Sequence, residues 1–218
     1  MNKGIKMGKF IVIEGCEGAG KSTAVATVHK FLVQNGVPDN CIVHTREPGG
    51  TPIAEKIRTI LKEINNEDKM CSDTELLLMY AARAQLVNTV IKPALAKNYY
   101  VIGDRHDLSS VAYQGAGRGI NRTLIDSIRK IILGDFVPDL TLVMDLPPEI
   151  GLARAGKRGE LDRFEQENIS FFNRIRNCFL DEAKIHSDRI KVINAANNLD
   201  KVNEDIVAEL RKSLCIVG

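Results

Sequence analysis

The sequence lacks the features that would place it among secreted, zinc-binding or membrane-spanning proteins. Its five cysteines are an odd number and contain no C-x-x-C pair, which argues for reduced thiols and against a disulfide framework or a zinc site. The longest apolar runs, such as 76–79, are far too short to cross a bilayer. The first residues also lack the apolar segment of a signal peptide. We therefore expect a cytoplasmic protein that makes no membrane contact.

An excess of charge of one sign is also missing. The chain has 30 lysines and arginines against 28 aspartates and glutamates, a formal net charge of +2. This balance shows no bias toward nucleic acid polymers, so anion binding must depend on local clusters of cations. The 218 residues are 44% hydrophobic and 27% charged, as in an ordinary globular protein. We predict one domain over residues 1–218.

Short apolar runs alternate with longer segments of helical periodicity, and this order predicts a three-layer α/β fold around a five-stranded parallel sheet. The predicted strands cover 10–13, 41–45, 99–103, 140–145 and 190–193. The predicted helices cover about 21–35, 51–64, 73–97, 121–133, 147–156, 164–186 and 198–213. Helix caps are expected at Ser72-Asp73 and at Asn121, and a kink at Pro93.

Residues 15–22 match the phosphate-binding pattern G-x-x-x-x-G-K-[ST] between the first predicted strand and the first predicted helix. Glycines in this loop allow a tight turn whose backbone N–H groups converge on phosphates. Lys21 would reach the β and γ phosphates, and the Ser22 hydroxyl would hold Mg²⁺. The alternative is a chance match in an ordinary strand-turn-helix unit. The predicted ATP-binding residues are Gly15, Cys16, Glu17, Gly18, Ala19, Gly20, Lys21, Ser22 and Thr23.

Two arginines, Arg46 and Arg105, follow the second and third predicted strands. Ligands of open α/β sheets lie beyond the carboxyl ends of the strands, so both arginines should face the phosphate-binding loop. Arginine binds phosphate through a bidentate fork, which indicates a second, phosphorylated substrate. The alternatives are a structural ion pair of Arg105 with Asp104 or Asp107 and a surface role for Arg46.

The segment at about 154–163 carries several cations around two glycines and has few apolar residues. We interpret it as a lid that closes over the transferred phosphoryl group and neutralises its charge. Arg158 is the first candidate for that cation and Arg154 is a helper. Taken alone, the segment also fits a solvated charge run between two helices.

These segments together resemble the thymidylate kinase family, in its bacterial form with an acidic P-loop and a basic lid. The resemblance covers nearly the whole chain. It is carried by E-G-C-E-G-A-G-K-S at 14–22, T-R-E-P-G-G-T at 45–51, Y-A-A-R at 80–83, D-R-H at 104–106 and S-S-V-A-Y-Q at 109–114. It implies a P-loop NTPase fold of the nucleoside-monophosphate-kinase type with a short lid. The implied activity is ATP- and Mg²⁺-dependent phosphorylation of dTMP to dTDP, usually by a homodimer.

The resemblance also implies roles for single residues on the acceptor side. Arg105 matches the arginine that holds the acceptor phosphate, and Arg83 the one that hydrogen-bonds the thymine ring. Ser110 lies near the base, and the ring of Tyr113 occupies the space that a ribose 2′-hydroxyl would need. Glu17, a carboxylate that would otherwise repel phosphate, matches an acid that contacts the sugar 3′-hydroxyl. A glutamate that faces solvent is the alternative for Glu17.

Further substrate-binding residues are expected in the same segments, namely Arg46, Pro48 and Gln114. Met79 stands where relatives commonly have a phenylalanine, one helical turn before Arg83. A thioether can cover a base but cannot stack as a ring does, so weaker thymine binding and a plain core role are both open. The resemblance favours a cis Glu47-Pro48 bond, whereas sequence alone favours trans.

The implied chemistry is in-line attack of a dTMP phosphate oxygen on the γ-phosphorus of ATP, which requires positioning and charge neutralisation but no catalytic base. One rival is a P-loop kinase for another nucleoside monophosphate or for a nucleoside. A nucleotide-switched binding module is a second rival, although the chain has no N-K-x-D motif. The apolar face of the third helix, Leu77, Tyr80, Ala84, Val87 and Ile91, could be internal core or a subunit contact.

Overall fold

A computed structural model describes residues 8–65, 67–156 and 162–214. Within them, five parallel strands form one sheet in the order β2-β3-β1-β4-β5. The strands are β1 (Phe10–Glu14), β2 (Ile42–Arg46), β3 (Tyr100–Asp104), β4 (Leu140–Asp145) and β5 (Ile190–Asn194). The predicted α/β class and five-stranded parallel sheet are confirmed.

Helices cover both faces of this sheet. They are α1 (Lys21–Gln34), α2 (Pro52–Lys62), α3 (Ser72–Leu86), α4 (Lys92–Ala96), α5 (Asp107–Ser110), α6 (Arg122–Leu133), α7 (Pro148–Gly156), α8 (Ile169–Ile185) and α9 (Leu199–Ser213). Wider π-type turns at Val87–Ile91 and Val111–Gly117 join α3 to α4 and extend α5, and Asp39–Cys41 forms one 3₁₀ turn.

The central strand shows why the sheet needs cover on both sides. Successive side chains of β1 point to opposite faces. Ile11 and Ile13 pack with buried residues of α1 and α9, whereas Phe10 and Val12 pack with buried residues around α3 and α4. All four are buried, so both faces of the strand are apolar and both are covered by helices.

The third predicted helix, 73–97, is one helical run with a wider turn at Val87–Ile91, directly before Pro93. Proline cannot supply the regular backbone hydrogen bond, which accounts for the change of geometry where a kink was expected. The cap expected at Ser72-Asp73 is wrong: Cys71 is the N-cap residue, and its side chain does not cap the backbone. The cap at Asn121 is confirmed, because its side chain accepts from the Thr123 N–H.

Two further boundaries differ from the sequence prediction. The helix predicted from 164 begins at Ile169, where the Asn168 side chain accepts from the Phe171 N–H. The helical segment from Asp107 to Gly117 was not predicted at all, because glycines and polar residues interrupt its apolar periodicity. This segment carries several side chains of the candidate site.

The proposed apolar face of α3 is mostly internal. Tyr80, Val87 and Ile91 are buried, whereas Leu77 is 57% exposed. Leu77 is therefore the one large side chain of that face that is free to contact another surface. In the described part of the chain, no helix combines the length and apolar character needed to span a bilayer.

Candidate active site

Three strand ends meet at one level and define the candidate site. In the sheet register, Ile13 of β1 and Arg46 of β2 both lie beside Asp104 of β3. The loops that follow these strands surround a cavity of about 480 Å³. It is lined by Glu17, Gly18, Gly20, Lys21, Ser22, Thr23, Glu47, Pro48, Arg58, Lys62, Met79, Arg83, Asp104, Arg105, His106, Ser109, Ser110, Tyr113, Gln114, Arg154, Asp162, Phe164 and Glu165.

The loop at 15–22 has the backbone geometry that its glycines permit. Gly18 has a φ of +69°, and a Cβ on it would lie 2.1 Å from the carbonyl oxygen of Gly151 in α7. Gly20 has a φ of +84° and precedes α1 without any side-chain cap. The first N–H groups of α1 therefore lie beside the cavity with no competing side chain, which is the arrangement of a helix N-terminal anion site.

Lys21 donates to carbonyl groups of its own loop. Its Nζ lies 3.2 Å from the Gly15 oxygen and 2.9 Å from the Cys16 oxygen. Burial and the nearby Arg105 lower the pKa of Lys21, which means that the ammonium lacks enough negative charge around it. A bound polyphosphate would supply that charge. Ser22 and Thr23, which follow it, are exposed in the cavity.

Arg105 extends into the cavity from a left-handed backbone conformation with a φ of +70°. Its guanidinium donates to Glu17 Oε1 at 2.8 Å and to Ser109 Oγ at 3.2 Å. Its central carbon lies 4.8 Å from the centroid of the Tyr113 ring. The ion-pair partner within the described residues is thus Glu17, and neither aspartate beside Arg105 in sequence forms an ion pair with it.

A buried carboxylate, Glu14, holds the backbone around Arg105. It accepts from the His106 N–H at 2.8 Å, the Ser109 N–H at 3.2 Å and the Ser109 hydroxyl at 2.5 Å. Burial raises the pKa of Glu14, although Arg105 and these donors oppose the effect. Because an uncommon φ persists only where its surroundings enforce it, Glu14 positions Arg105.

Glu17 does not face solvent. Its side chain is 13% exposed, and the Tyr113 hydroxyl lies 2.9 and 2.8 Å from its two carboxylate oxygens. Burial raises the pKa of Tyr113 well above its ordinary value, so this hydroxyl is a donor. Arg105 and Tyr113 together offset the charge that Glu17 brings into the phosphate-binding loop.

Arg83 is 1% exposed and lines the cavity where its partners from the segments after β2 and β3 meet. Its Nε donates to Glu47 Oε2 at 2.7 Å, and its two terminal nitrogens donate to Ser110 Oγ at 3.0 Å and to the His106 oxygen at 3.1 Å. The same Glu47 binds His106 Nδ1 at 2.7 Å. The terminal nitrogen that binds Ser110 also lies 3.6 Å from Asp107 Oδ1, and Arg83 lines the cavity.

Gln114 and Met79 complete this end of the cavity. The Gln114 Nε2 donates to Glu75 Oε1 at 2.7 Å. Glu75 also accepts from Arg118 Nε at 3.2 Å and from an Arg163 terminal nitrogen at 2.6 Å. Met79 is half-buried and packs against the cluster of phenylalanines that includes the Tyr113 ring. It therefore both lines the cavity and belongs to the core.

The segment after β2 contributes less than expected. Arg46 is 55% exposed, forks onto Glu55 at 3.1 and 2.9 Å, and is absent from the cavity lining. Pro48 lines the cavity, follows a cis Glu47-Pro48 bond, and its carbonyl oxygen accepts from Arg58 at 2.8 Å. The cis bond agrees with the family resemblance and differs from the expectation from sequence alone.

The proposed lid is described only in part. Arg154, exposed at the end of α7, lies 3.5 Å from the Gly18 oxygen and lines the cavity. Arg158 lies outside the described residues. Beyond the gap, Asp162 lines the cavity and pairs with Lys62 at 2.6 Å.

Sequence reasoning missed the groups that hold the predicted side chains. These are Glu14, Glu47, Glu75 and His106; Asp104, which lines the cavity, was also missed. Their position in the sequence could have indicated most of them. Glu14 and Asp104 are the last residues of apolar strands, and Glu47 and His106 follow strand ends within two residues.

The comparisons with known proteins agree with this geometry. Residues 13–206 match the family model described as thymidylate kinase. The crystal structure of thymidylate kinase from Ehrlichia chaffeensis is similar to the chain with a TM-score of 0.76 and 31% sequence identity, over 94% of this chain and 99% of that one. With a phosphate-binding loop and a buried arginine facing one cavity, and this match over most of its length, the chain belongs to the thymidylate kinase family.

Proposed function

We infer that this protein transfers the γ-phosphoryl group of ATP to dTMP and produces dTDP and ADP. One observation supports this function above the others. A single cavity contains a phosphate-binding loop, a second phosphate-binding arginine at Arg105 and a buried guanidinium at Arg83. A nucleotide hydrolase has no second phosphorylated substrate to bind, whereas a kinase for a nucleoside monophosphate needs groups for the acceptor phosphate and base, and Arg105 and Arg83 are suited to these roles.

The donor nucleotide binds to the loop at 15–22 and to the N-terminus of α1. Backbone N–H groups of the loop surround its phosphates, and Lys21 leaves the Gly15 and Cys16 carbonyl groups to donate to the β and γ phosphates. The negative phosphates would offset the burial and the repulsion from Arg105 that lower the pKa of Lys21. The positive end of α1 adds to the same field.

The site also fits Mg²⁺. The Ser22 hydroxyl faces the cavity, and Asp104 has a buried Oδ1 with no hydrogen-bond partner. Mg²⁺ that accompanies ATP takes one or two protein oxygens in addition to phosphates and water. The absence of any acidic or histidine cluster of three ligands in the described chain is compatible with such a site. When bound, the ion neutralises developing charge on the phosphate oxygens.

The acceptor phosphate binds to Arg105. Its guanidinium already lies in the cavity, and Glu17 and Ser109 orient its fork. Glu17 then contacts the sugar 3′-hydroxyl, and the ring of Tyr113 fills the space beside C2′, where a ribose would carry its extra hydroxyl. Holding both phosphates in line removes most of the entropic barrier to transfer.

Arg83 and Gln114 recognise the thymine base, with Ser110 as an orienting contact. Arg83 donates to the exocyclic O4. Because the Gln114 amide nitrogen faces Glu75, its oxygen is the group left to accept from the base N3–H. Cytosine has an amino group and an unprotonated N3 at these two places, so its amino group would face the Arg83 donor and its N3 would face the Gln114 oxygen, which is an acceptor. Met79 covers the face of the base.

The transferred group lies between donor and acceptor, where positive charge lowers the barrier. Lys21 acts from the donor side and Arg105 from the acceptor side. Arg154 stands at the rim of the loop, and we propose that it acts together with Arg158, the lid arginine beyond it. Each of these groups binds phosphate oxygen atoms or neutralises their charge, and none acts as a catalytic base.

The direct test measures ADP release from ATP and Mg²⁺ with dTMP, dUMP, dCMP, dGMP, dAMP and thymidine as acceptors. We expect turnover mainly with dTMP, and little with thymidine because Arg105 then has no phosphate to bind. Equal turnover without any acceptor would indicate a plain ATPase or a nucleotide switch. Preference for a different monophosphate would overturn the substrate assignment.

We further propose that the protein acts in the cytoplasm as a homodimer. Helices α2 and α6 both pack against α3, and all three present exposed large apolar side chains: Ile53, Ile60, Leu77, Leu124 and Ile131. Ile53 and Ile60 of α2 are seven residues apart, as are Leu124 and Ile131 of α6, so each pair lies on one face of its helix. Light scattering of Leu77→Lys and Ile131→Lys should show a monomer, and a dimer unchanged by both substitutions would contradict this interface.

A further inference from the structure

Glu75 of α3 is a buried carboxylate that touches a substrate-binding side chain without lining the cavity. It is 1% exposed. Three side chains donate to it, Gln114, Arg118 and Arg163. A buried carboxylate normally has such partners, but here one of them is the amide that faces the base. That contact has a consequence for selectivity.

An amide side chain can present either its oxygen or its NH₂ group to a ligand, and its heavy atoms fit the same space in both orientations. A carboxylate has only acceptor oxygens for these three donors. The 2.7 Å contact between Glu75 Oε1 and the Gln114 side chain therefore requires the NH₂ group at that end. Gln114 lines the cavity, and its amide oxygen, which has no other side-chain partner in the described chain, is the atom left for a ligand.

The two arginines keep the carboxylate in place. Arg118 donates through Nε and Arg163 through a terminal nitrogen, and both guanidinium groups are mostly buried. Since arginine has no acceptor, neither can rotate to replace Glu75 as the partner of the Gln114 NH₂ group. The carboxylate thus remains the one group in this cluster that determines the amide orientation.

We propose that Glu75 is a positioning residue that sets base selectivity by fixing the Gln114 oxygen toward the N3 position of the acceptor base. This rests on the proposed dTMP kinase function. A base that carries N3–H, as thymine does, gains a hydrogen bond. A base with an unprotonated N3, as in cytosine, meets a second acceptor and is rejected.

The test substitutes Glu75→Gln, which preserves size but can present either end of its own amide to Gln114. The Gln114 amide can then turn, and its NH₂ group would oppose the thymine N3–H. We expect the KM for dTMP to rise about tenfold with kcat changed less than about threefold. The inhibition constant of dCMP, measured as a competitor of dTMP, should stay constant or fall.

Glu167→Gln is the matched control, because Glu167 is the other carboxylate that pairs with Arg118 and it does not contact Gln114. We expect the ratio of the dCMP inhibition constant to the dTMP KM to be unchanged. Should Glu75→Gln fail to fold, Glu75→Asp retains the charge for both arginines but withdraws the oxygen from Gln114. That variant should lower the same ratio.

A merely structural role for Glu75 would weaken dTMP and dCMP by one common factor, or lower kcat alone, and either result overturns the proposal. An unchanged ratio in a folded Glu75 variant does the same. Failure of the proposed function is a separate outcome, since the unsubstituted protein would then show no turnover of dTMP.

Discussion

The two ends of the cavity are built by different means. At the donor end, residues of the loop at 15–22 and exposed side chains such as Ser22 line the cavity. Among the described residues, Lys21 has only carbonyl oxygens of its own loop as hydrogen-bond partners. At the acceptor end, Arg83, Ser110 and Gln114 are buried and bound to other side chains. The donor end is completed by its ligand, whereas the acceptor end is organised before one arrives.

This difference assigns different work to the two ends. Any nucleoside triphosphate offers the phosphates that a loop of N–H groups binds, so the donor end contributes rate but little base selectivity. The acceptor end presents fixed donors and acceptors, and a wrong base leaves buried polar groups unpaired. Substitutions at the acceptor end should therefore change mainly the KM for the acceptor nucleotide, and substitutions at the donor end should change mainly kcat.

The largest effect is expected from Lys21→Ala at the donor end. We propose that Lys21, the one cation of the loop at 15–22, contacts the transferred phosphate, so its loss should reduce kcat by about 10²–10³-fold, with a much smaller change in the dTMP KM. Steady-state kinetics at saturating ATP would measure it. Lys30→Ala, on the exposed side of the same helix, is the control. A normal kcat in Lys21→Ala would break the division of roles.

The next effect is expected in stability at the acceptor end, from Glu47→Gln. Burial raises the pKa of Glu47, but the opposing effect of Arg83 and His106 is larger. The pKa of Glu47 in the folded protein therefore lies below its ordinary value of 4.5. Its stabilisation is complete above that ordinary value and is lost as the pH falls through the lowered folded pKa. Removing the charge from a buried pair costs about 3 kcal/mol.

Urea unfolding of both proteins between pH 3 and pH 7 would measure this difference. The gap between the unsubstituted protein and Glu47→Gln should be widest near pH 7 and should narrow toward pH 3. A gap of constant size would show that the charge of Glu47 contributes nothing, and the acceptor end would then be less organised than its contacts indicate.

A smaller effect is expected for Arg105→Ala, which should raise the dTMP KM by about ten- to a hundredfold and leave the ATP KM within about threefold. Arg46→Ala should raise the dTMP KM less, because Arg46 is exposed and forks onto Glu55. Arg211→Ala on the surface of α9 provides the baseline. An effect of Arg46→Ala that equals that of Arg105→Ala would place the acceptor phosphate between the two strands.

The smallest effect is expected for Tyr113→Phe. This substitution removes the hydroxyl that donates to Glu17 but keeps the ring, so the dTMP KM should change by about threefold or less. Discrimination between dUMP and UMP should remain. Tyr113→Ala should relax it, because we propose that the ring fills the space beside C2′. Loss of this discrimination in Tyr113→Phe would assign it to the hydroxyl instead.

The same difference explains what the sequence could predict. The donor end is one contiguous segment whose glycines, lysine and serine do their work through local backbone geometry, so its pattern is visible without a fold. Alternating apolar runs likewise predicted the strands and the parallel sheet. Arg105 was predicted from its position after a strand and Arg83 from the family resemblance, and both line the cavity.

The partners of these side chains come from distant segments and were not predictable. Glu47 and Arg83 lie 36 positions apart, and Gln114 and Glu75 lie 39 apart, so the two pairings depend on the packing of α3 against the segments after β2 and β3. Arg46 shows the converse limit. Its position at the end of β2 suggested a substrate contact, but Arg46 instead forms a surface ion pair with Glu55 of α2, the next helix in the chain.

The organised acceptor end is tested most directly by calorimetric titration of the ATP-free protein with dTMP, thymidine and dCMP. If the pocket is assembled without the donor, dTMP should bind measurably in the absence of ATP, with thymidine and dCMP each at least about tenfold weaker. Binding of dTMP that requires ATP, or equal affinity for all three ligands, would contradict the account.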